Sequence, residues 1–227
     1  DERSGLVAGA DGRARVMDFG LARADGARAT SEVVDAVDTV VHSAARVHVS
    51  LPWSALAPAN LHGTAEVLRL LAQKHLLYVS TLSVLVNTDL ARRHLRQNDG
   101  LDRAARVYGG YAQTKWAAEA LVRRYAPGAT ILRPGLLTAS ESVAAPPNEW
   151  FGLFVRGLVR LGAMPPPDPT RAMDLTPVDL AARAAVALMS RPGTFHIANP
   201  ISATQPEILH AVAAKTGLPT VSRPEFE

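Results

Sequence analysis

The sequence predicts an α/β fold in which helices flank a parallel sheet. Short apolar runs rich in β-branched residues alternate with longer amphipathic stretches of helical period. Because parallel neighbours need a crossover connection, strands separated by helices favour a parallel sheet. The chain has 227 residues, of which 48% are hydrophobic, which suffices for one large domain with a small additional lobe.

The predicted elements alternate along the chain. We predict strands at residues 38–42, 76–80, 129–132 and 194–197. We predict helices at residues 60–71, 111–125, 178–189 and 206–216. The helix 111–125 carries Trp116, Ala120 and Leu121 on an expected apolar stripe, and Pro127 with Gly128 ends it. No internal repeat is evident.

Composition excludes several classes of protein. The chain has no cysteine, so it has no disulfide framework, thiolate metal site or cysteine nucleophile. The net charge is +3, and the basic residues form no block typical of a nucleic-acid-binding surface. No run of about 18 apolar residues predicts a membrane span, and the N-terminus lacks a signal pattern. These features favour a cytoplasmic protein without nucleic-acid or membrane partners.

Two polar or proline-rich stretches interrupt the alternation. Residues 87–109 form a polar, arginine-containing stretch that we interpret as a surface insertion beside the mouth of an active site. Residues 144–169 contain six prolines around an apolar segment, residues 150–161, that has helical character. This second stretch is either a lobe that covers the substrate or a structural linker.

The stretch with the clearest chemical meaning is residues 110–116. It places Tyr111 and Lys115 four residues apart, so both side chains lie on one helical face. A nearby ammonium favours the phenolate, and we therefore expect Lys115 to lower the pKa of Tyr111 from its usual value of about 10. A tyrosine of this kind can donate a proton to a developing alkoxide. By itself, such a pair is also common on a solvated helix surface.

Hydroxyl side chains follow the predicted strand 76–80. Side chains alternate along an extended segment, so Thr81 and Ser83 share one face and Ser80 lies on the other. Ligands of doubly wound sheets bind beyond the carboxyl ends of the strands. These hydroxyls are therefore candidates for binding a substrate carbonyl. The alternative is that they only satisfy backbone groups at the strand end.

These motifs occur in a fixed order that resembles an extended short-chain dehydrogenase/reductase, and in particular the thioester reductase domains of nonribosomal peptide synthetases and carboxylic acid reductases. Two of the matching segments are YVSTLSV at residues 78–84 and GYAQTKWAAE at residues 110–119. The others are residues 37–45, 59–64, 132–135, 174–179 and 195–200. The resemblance covers roughly residues 13–217. It implies a Rossmann-like parallel sheet and a small C-terminal substrate lobe.

The resemblance implies a role for each matching residue. Thr81 would bind the thioester or aldehyde oxygen, Tyr111 would donate a proton, and Lys115 would bind the nicotinamide ribose. The positions matching the family's cofactor-binding residues are Asp18, Ala44, Ala45, Ser80, Lys115, Pro134, Gly135, Leu136 and Leu137. Asn60 would have a structural role, connecting neighbouring strands. The implied cofactor is NADP, with NAD not excluded, and no metal is implied.

The resemblance also implies a domain layout and a partner. Residues 1–138 would form the nucleotide-binding and catalytic core. Residues 139–227 would form mainly the substrate lobe, with residues 170–200 returning to the core. The partner would be an acyl or peptidyl carrier protein with a phosphopantetheine-linked substrate, and the domain would be a monomeric part of a larger synthetase.

The match fails at the family's glycine-rich phosphate loop. Residues 6–12 resemble a remnant of the first strand and loop, but no helix or second strand fits between Gly12 and Val16. We expect the chain to be a fragment. A natural loss of cofactor binding, or another segment supplying this half, are the alternatives. Three functions follow: reductive release of a carrier-bound thioester, redox-independent condensation or cyclisation, and a non-catalytic scaffold.

Overall fold

The computed structural model describes most of the chain. For residues 4–9 and 14–18 it describes the backbone; for residues 37–71, 73–87, 95–102, 106–142, 144, 146 and 149–222 it also describes side chains. The chain divides into two compact units. One comprises residues 1–134 and 184–196, and the other comprises residues 135–183 and 197–227.

Strands and helices alternate through the central part of the chain. The strands are β1 (Ser4–Gly9), β2 (Ala14–Asp18), β3 (Val37–His42), β4 (His75–Val79), β5 (Thr130–Pro134), β6 (Leu136–Thr138), β7 (Ala172–Met173), β8 (Leu175–Pro177), β9 (Gly193–Ile197) and β10 (Ala203–Thr204). The helices are α1 (Trp53–Ala57), α2 (Gly63–Leu70), α3 (Ser83–Val86), α4 (Gly110–Tyr125), α5 (Trp150–Leu161), α6 (Val178–Leu188) and α7 (Gln205–Thr216). A π-helical turn, Pro58–His62, joins α1 to α2.

The largest sheet has six strands in the order β2-β1-β3-β4-β5-β9. Strand β3 runs parallel to β4, and β4 runs parallel to β5. Helices follow β3 and β4 before the next strand begins. The predicted α/β class, with a parallel sheet and flanking helices, is therefore confirmed.

The N-terminal edge of this sheet differs from the parallel arrangement. Strand β1 pairs antiparallel with both β2 and β3. Only four residues, 10–13, separate β1 from β2, which fits a hairpin and is too short for a crossover. Of the segment 6–12, which we interpreted as a remnant of the first strand and loop, residues 6–9 lie in β1 and residues 10–12 lie outside the described residues. The strand beside β1 is β2, which pairs with it antiparallel.

The core of the first unit lies between the sheet and helices α2 and α4. Its buried side chains include Val40, Leu76, Ile131 and Val122. The face of α4 that is buried differs from the predicted apolar stripe, because Trp116, Ala120 and Leu121 are only half-buried. The buried residues of α4 include two charged ones, and their partners are described below.

The second unit has its own small core. The predicted helical segment 150–161 is confirmed as α5, whose Leu158 packs with Leu209 and Val212 of α7. The Glu149 side chain accepts from the Phe151 and Gly152 amides and so caps the start of α5. Within the described residues, no helix is long and apolar enough to cross a membrane.

Candidate functional site

Two adjacent glycines determine where helix α4 begins. Gly109 has a φ of 82°, a conformation that favours glycine. A Cβ atom on Gly110 would collide with the Leu51 carbonyl oxygen and would lie 2.7 Å from the Trp53 backbone nitrogen. The absence of a side chain at Gly110 therefore permits the close approach of residues 51–53. This contact fixes the position of Tyr111, the next residue of the helix.

The turn after strand β4 is fixed to the neighbouring strand. The Ser80 amide donates to the Leu132 carbonyl at 2.7 Å, and the Leu82 amide donates to the Pro134 carbonyl at 2.9 Å. These two bonds extend the β4–β5 pairing past the end of β4. Thr81 lies between them, so its backbone position is determined by the sheet.

Thr81 and Tyr111 lie near each other. Thr81 is buried, and its hydroxyl oxygen accepts from the Ser83 amide at 3.2 Å and donates to the Ser83 hydroxyl at 3.2 Å. The Thr81 hydroxyl is also close enough to the Tyr111 phenol to favour a lower pKa of that phenol. The structure therefore brings together two of the three side chains that the sequence singled out.

The pKa of Tyr111 moves in the direction opposite to our expectation. Burial raises the pKa of Tyr111 to about 12, and the nearby Thr81 hydroxyl opposes this only in part. Lys115 does not reverse the effect, because its ammonium donates to a backbone carbonyl elsewhere. The Tyr111 phenol is consequently neutral at physiological pH, which is the form that can donate a proton.

Lys115 is buried against strand β4. Its ammonium donates to the Val79 carbonyl at 2.7 Å and lies 4.3 Å from the centre of the Tyr78 ring. Burial lowers the pKa of Lys115 to about 7, against the opposing attraction of Glu119. The Lys115 amine therefore exchanges protons near neutral pH.

Glu119 and Arg133 form a buried ion pair to which the sequence motifs gave no role. The Arg133 guanidinium donates to both carboxylate oxygens of Glu119, at 2.7 and 3.1 Å, and neither side chain is exposed. The Ser80 hydroxyl donates to the same carboxylate at 2.6 Å, and Arg123 pairs with it from the helix surface. Burial raises the pKa of Glu119, but the bonds from Arg133 and Ser80 outweigh this and lower it overall. The sequence contained one indication that Glu119 is buried with Lys115: it follows Lys115 by four residues, so both lie on the same helical face.

His42 ends strand β3 as a buried neutral imidazole. Its Nε2 lies 2.9 Å from the Thr64 hydroxyl oxygen, and that hydroxyl donates to the Asn60 carbonyl. His42 therefore donates from Nε2. Burial lowers the pKa of His42 to about 3, and the nearby Lys115 contributes to this shift. The His42 ring also contacts Tyr78, with ring centres 5.5 Å apart.

Asn60 connects the segment after β3 to helix α4. Its side-chain oxygen accepts from the Arg46 amide at 2.6 Å, and its side-chain nitrogen donates to the Arg46 carbonyl and to the Thr114 hydroxyl. Asn60 lies in the π-helical turn, a rare feature that is frequent at functional sites. We expected Asn60 to connect neighbouring strands; it connects a loop with a helix.

The predicted cofactor-binding residues occupy different parts of the two units. Ala44 and Ala45 are half-buried in the segment that Asn60 binds. Ser80 is buried with its hydroxyl bonded to Glu119, and Pro134 is buried at the end of β5.

The remaining predicted cofactor-binding positions lie elsewhere. Gly135, Leu136 and Leu137 belong to the second unit, where β6 pairs parallel with β8. Asp18 pairs with Ser4 in the hairpin, and its side chain lies outside the described residues.

The side chains at the carboxyl edge of β4 fit the nicotinamide end of a dinucleotide. A lysine, a neutral phenol and a threonine hydroxyl supply donors for ribose hydroxyls and for a carbonyl oxygen. The β1–β2 hairpin does not form the strand–loop–helix unit that binds pyrophosphate. Among the described residues, the side chains that fit the cofactor are therefore those suited to its nicotinamide half. Within the described residues, no cluster of histidine and acidic side chains is suited to a metal ion.

A shallow cavity of about 330 Å³ lies on another face of α4. It is lined by Trp53, Val107, Gln113, Trp116 and Ala117. Helical spacing places residues 113, 116 and 117 away from the face of residues 111, 115 and 119. The cavity is therefore separate from the candidate catalytic side chains.

A family comparison agrees with this geometry. A family model for NAD-binding domains described as Male sterility protein matches residues 12–185. The chain belongs to this family. The resemblance to reductase domains of the short-chain dehydrogenase/reductase type, which the sequence motifs indicated, is confirmed.

Reductases and a peptide synthetase are among the similar proteins. The chain is 33% identical to the L-2-aminoadipate reductase large subunit of Eremothecium gossypii over 79% of this chain and 14% of that protein. It is 30% identical to a linear gramicidin synthase component of Brevibacillus parabrevis over 79% of this chain and 4% of that protein. The chain thus spans a small part of these curated relatives.

A solved structure shows the same fold. The terminal R domain from the myxalamid PKS-NRPS biosynthetic pathway superposes with a TM-score of 0.77 and is 33% identical. The match covers 89% of this chain and 52% of that domain. The chain therefore corresponds to about half of the solved reductase domain.

Proposed function

We propose that this protein catalyses NADPH-dependent reductive release of an acyl or peptidyl thioester from a carrier protein, giving an aldehyde or an alcohol. The observation that carries the proposal is the proximity of the Thr81 hydroxyl to the Tyr111 phenol, one helical turn before the buried Lys115, at the carboxyl edge of a parallel sheet. Membership in a family whose relatives include reductases supports the choice of reaction.

The chain's own residues account for proton transfer and orientation. The Thr81 hydroxyl, which is fixed by the turn after β4, binds the thioester carbonyl oxygen. Tyr111 donates its phenolic proton to that oxygen as negative charge develops on it. The resulting thiohemiacetal loses the carrier thiol, and an aldehyde remains. Lys115 binds the ribose hydroxyls and helps Tyr111 to recover its proton. The nicotinamide supplies the hydride when it is bound.

We propose a carrier protein as the partner and NADP as the cofactor. A similar synthetase and a similar terminal R domain of a synthetase pathway support a thioester on a carrier arm. A modest excess of basic residues, net +3, suits an anionic cofactor and an acidic carrier. Thr81, Tyr111 and Lys115 are the proposed catalytic residues. The other proposed cofactor contacts are the backbone of Ala44, Ala45 and Ser80, residues 134–137, and Asp18.

The test follows nicotinamide absorbance with a carrier-bound acyl thioester and NADPH, and identifies the product by mass spectrometry. We expect turnover with the natural protein and a loss of at least about a hundredfold for Tyr111→Phe, because the variant keeps the ring and lacks the proton. Tyr108→Phe, at an exposed tyrosine of the same region, is the matched control. Equal rates for the natural protein and Tyr111→Phe would contradict the proposal.

One observation favours the redox-independent alternative. Strands β1 and β2 pair antiparallel, which differs from the strand–loop–helix unit that binds pyrophosphate, and the same pocket would serve condensation or cyclisation of a carrier-bound substrate without a hydride. Product formation in the absence of any nicotinamide supports this alternative. Binding of a carrier protein without any product supports a scaffold instead.

A further inference from the structure

Tyr78 has an arrangement that the proposed reaction does not explain. It is fully buried in strand β4, and the Lys115 ammonium lies over the face of its ring at 4.3 Å from the centre. The next residue, Val79, accepts a hydrogen bond from the same ammonium at 2.7 Å. Two neighbouring groups of one strand therefore bind the charge of Lys115.

We propose that Tyr78 is a positioning residue whose ring face binds the Lys115 ammonium and, with the Val79 carbonyl, fixes it on the strand side of helix α4. An aromatic face carries partial negative charge and attracts a cation, most strongly where water is excluded. An aliphatic side chain of similar size would fill the same space without this attraction. Only the kinetic consequence of the proposal rests on the proposed function.

The surroundings of Lys115 show why such a partner matters. Within the described residues, the titratable groups that interact with Lys115 are His42 from β3, Tyr78 from β4 and Glu119 from α4. Tyr111 lies one helical turn before Lys115 on the same face of α4. His42 and Tyr111 are neutral, and the charge of Glu119 is already compensated by a buried arginine. The Glu119 carboxylate therefore supplies only part of the attraction on the Lys115 ammonium, and the Tyr78 ring supplies more.

Tyr78 itself is suited to this role. Burial raises the pKa of Tyr78 well above its usual value, and the nearby Glu119 raises it further. The ring therefore stays neutral, and the contact does not depend on a tyrosinate. The His42 ring packs against the Tyr78 ring, with ring centres 5.5 Å apart. The ring, rather than its hydroxyl, is the group that binds Lys115.

Lysine NMR tests the contact directly in the unliganded protein. The chain has three lysines, Lys74, Lys115 and Lys215, so selective lysine labelling gives three resolvable side-chain signals, and Lys115→Arg assigns the central one. We expect the Lys115 ε-methylene protons to shift upfield under the ring, unlike those of Lys74 and Lys215. Absence of this shift in the natural protein would overturn the proposal without any variant.

Two variants then distinguish the effect of the aromatic ring of Tyr78 from the effect of its side-chain volume. Tyr78→Phe keeps the ring, and we expect it to keep both the upfield shift and the pH midpoint of Lys115. Tyr78→Met removes the ring and keeps most of the volume. We expect it to abolish the shift and to lower the titration midpoint of Lys115 by about one pH unit. An unchanged midpoint in Tyr78→Met would contradict the proposal.

Kinetic measurements on the same variants connect the Tyr78–Lys115 contact with the proposed reaction. We expect the rate of Tyr78→Met to fall about tenfold above neutral pH, through kcat, while Tyr78→Phe stays within about twofold of the natural protein. Equal kcat values for Tyr78→Met and the natural enzyme overturn the positioning role. If the natural protein reduces no substrate, the proposed function fails, and the NMR result still decides whether Tyr78 binds Lys115.

Discussion

Charged side chains at the buried face of α4 are tolerated because each has a specific partner. Lys115 binds a carbonyl and an aromatic ring, and Glu119 binds a guanidinium through two oxygens. Arginine suits the pairing with Glu119 because its planar guanidinium can donate two parallel hydrogen bonds to a carboxylate. Breaking a buried pair costs more than the pair contributes, since the remaining charge stays buried without compensation.

Removal of the Glu119 charge tests this ion pair. We expect Glu119→Gln to lower the free energy of unfolding by about 3 kcal/mol, because the guanidinium of Arg133 then stays buried without an anion. Urea denaturation measures the change. Glu66→Gln is the matched control, since Glu66 pairs with Arg69 on the exposed surface of α2 and we expect it to change little. Equal effects of the two variants would contradict the account.

The buried imidazole of His42 predicts how stability depends on pH. The pKa of His42 is about 3 in the folded protein and about 6.5 in the unfolded chain, so only the unfolded chain binds a proton between these values. We therefore expect the free energy of unfolding to fall as the pH decreases from about 6.5 to about 3. His42→Gln removes this contribution, and urea denaturation across the pH range measures it.

An exposed histidine provides the control for this measurement. His48→Gln changes a solvent-exposed ring, and we expect it to leave the acid dependence as in the natural protein. A His42→Gln variant that loses stability with acid as steeply as the natural protein would show that His42 is not the buried titrating group.

At the scale of elements, the sequence predicted regular segments well and their exceptions poorly. The predicted helix 150–161 has the same bounds in the structure, and the predicted strand 194–197 begins one residue earlier. Apolar periodicity predicts these segments correctly because the burial of their apolar side chains stabilises them. Apolar periodicity does not predict the buried charged residues of α4. Their burial depends on partners from other elements, such as Arg133 of β5.

The N-terminal hairpin illustrates a second limit. The short spacing between Gly12 and Val16 left no room for a helix or a second strand, yet strand β2 begins at Ala14. The antiparallel pairing of β1 with β3 was not predicted, because strand partners are set by contacts distant in sequence. The candidate residues Thr81 and Tyr111 were found from motif order, whereas the pKa of Tyr111 required knowledge of its burial.

The start of helix α4 gives a prediction at this scale. We expect Gly110→Ala to lower the free energy of unfolding by about 1–3 kcal/mol, because its Cβ would displace the backbone of residues 51–53. The displacement also moves Tyr111, so activity should fall. Gly128→Ala is the matched control, since nothing lies within 4 Å of a Cβ there. Thermal unfolding and turnover, measured together, check both effects.

At the scale of the whole molecule, the chain contains two compact units, each with its own buried side chains. The groups proposed for proton transfer, Thr81, Tyr111 and Lys115, all belong to the first unit. The proposed cofactor residues 135–137 belong to the second.

The proposed reaction needs two transfers to a carrier-bound thioester: a hydride from the nicotinamide and a proton from Tyr111. The most direct measurement uses NADPH carrying deuterium at the transferred position of the nicotinamide and determines the product's mass. We expect one deuterium on the former carbonyl carbon for each hydride delivered, and at least about a hundredfold less labelled product with Tyr111→Phe. Product that forms without deuterium, or without nicotinamide, would contradict it.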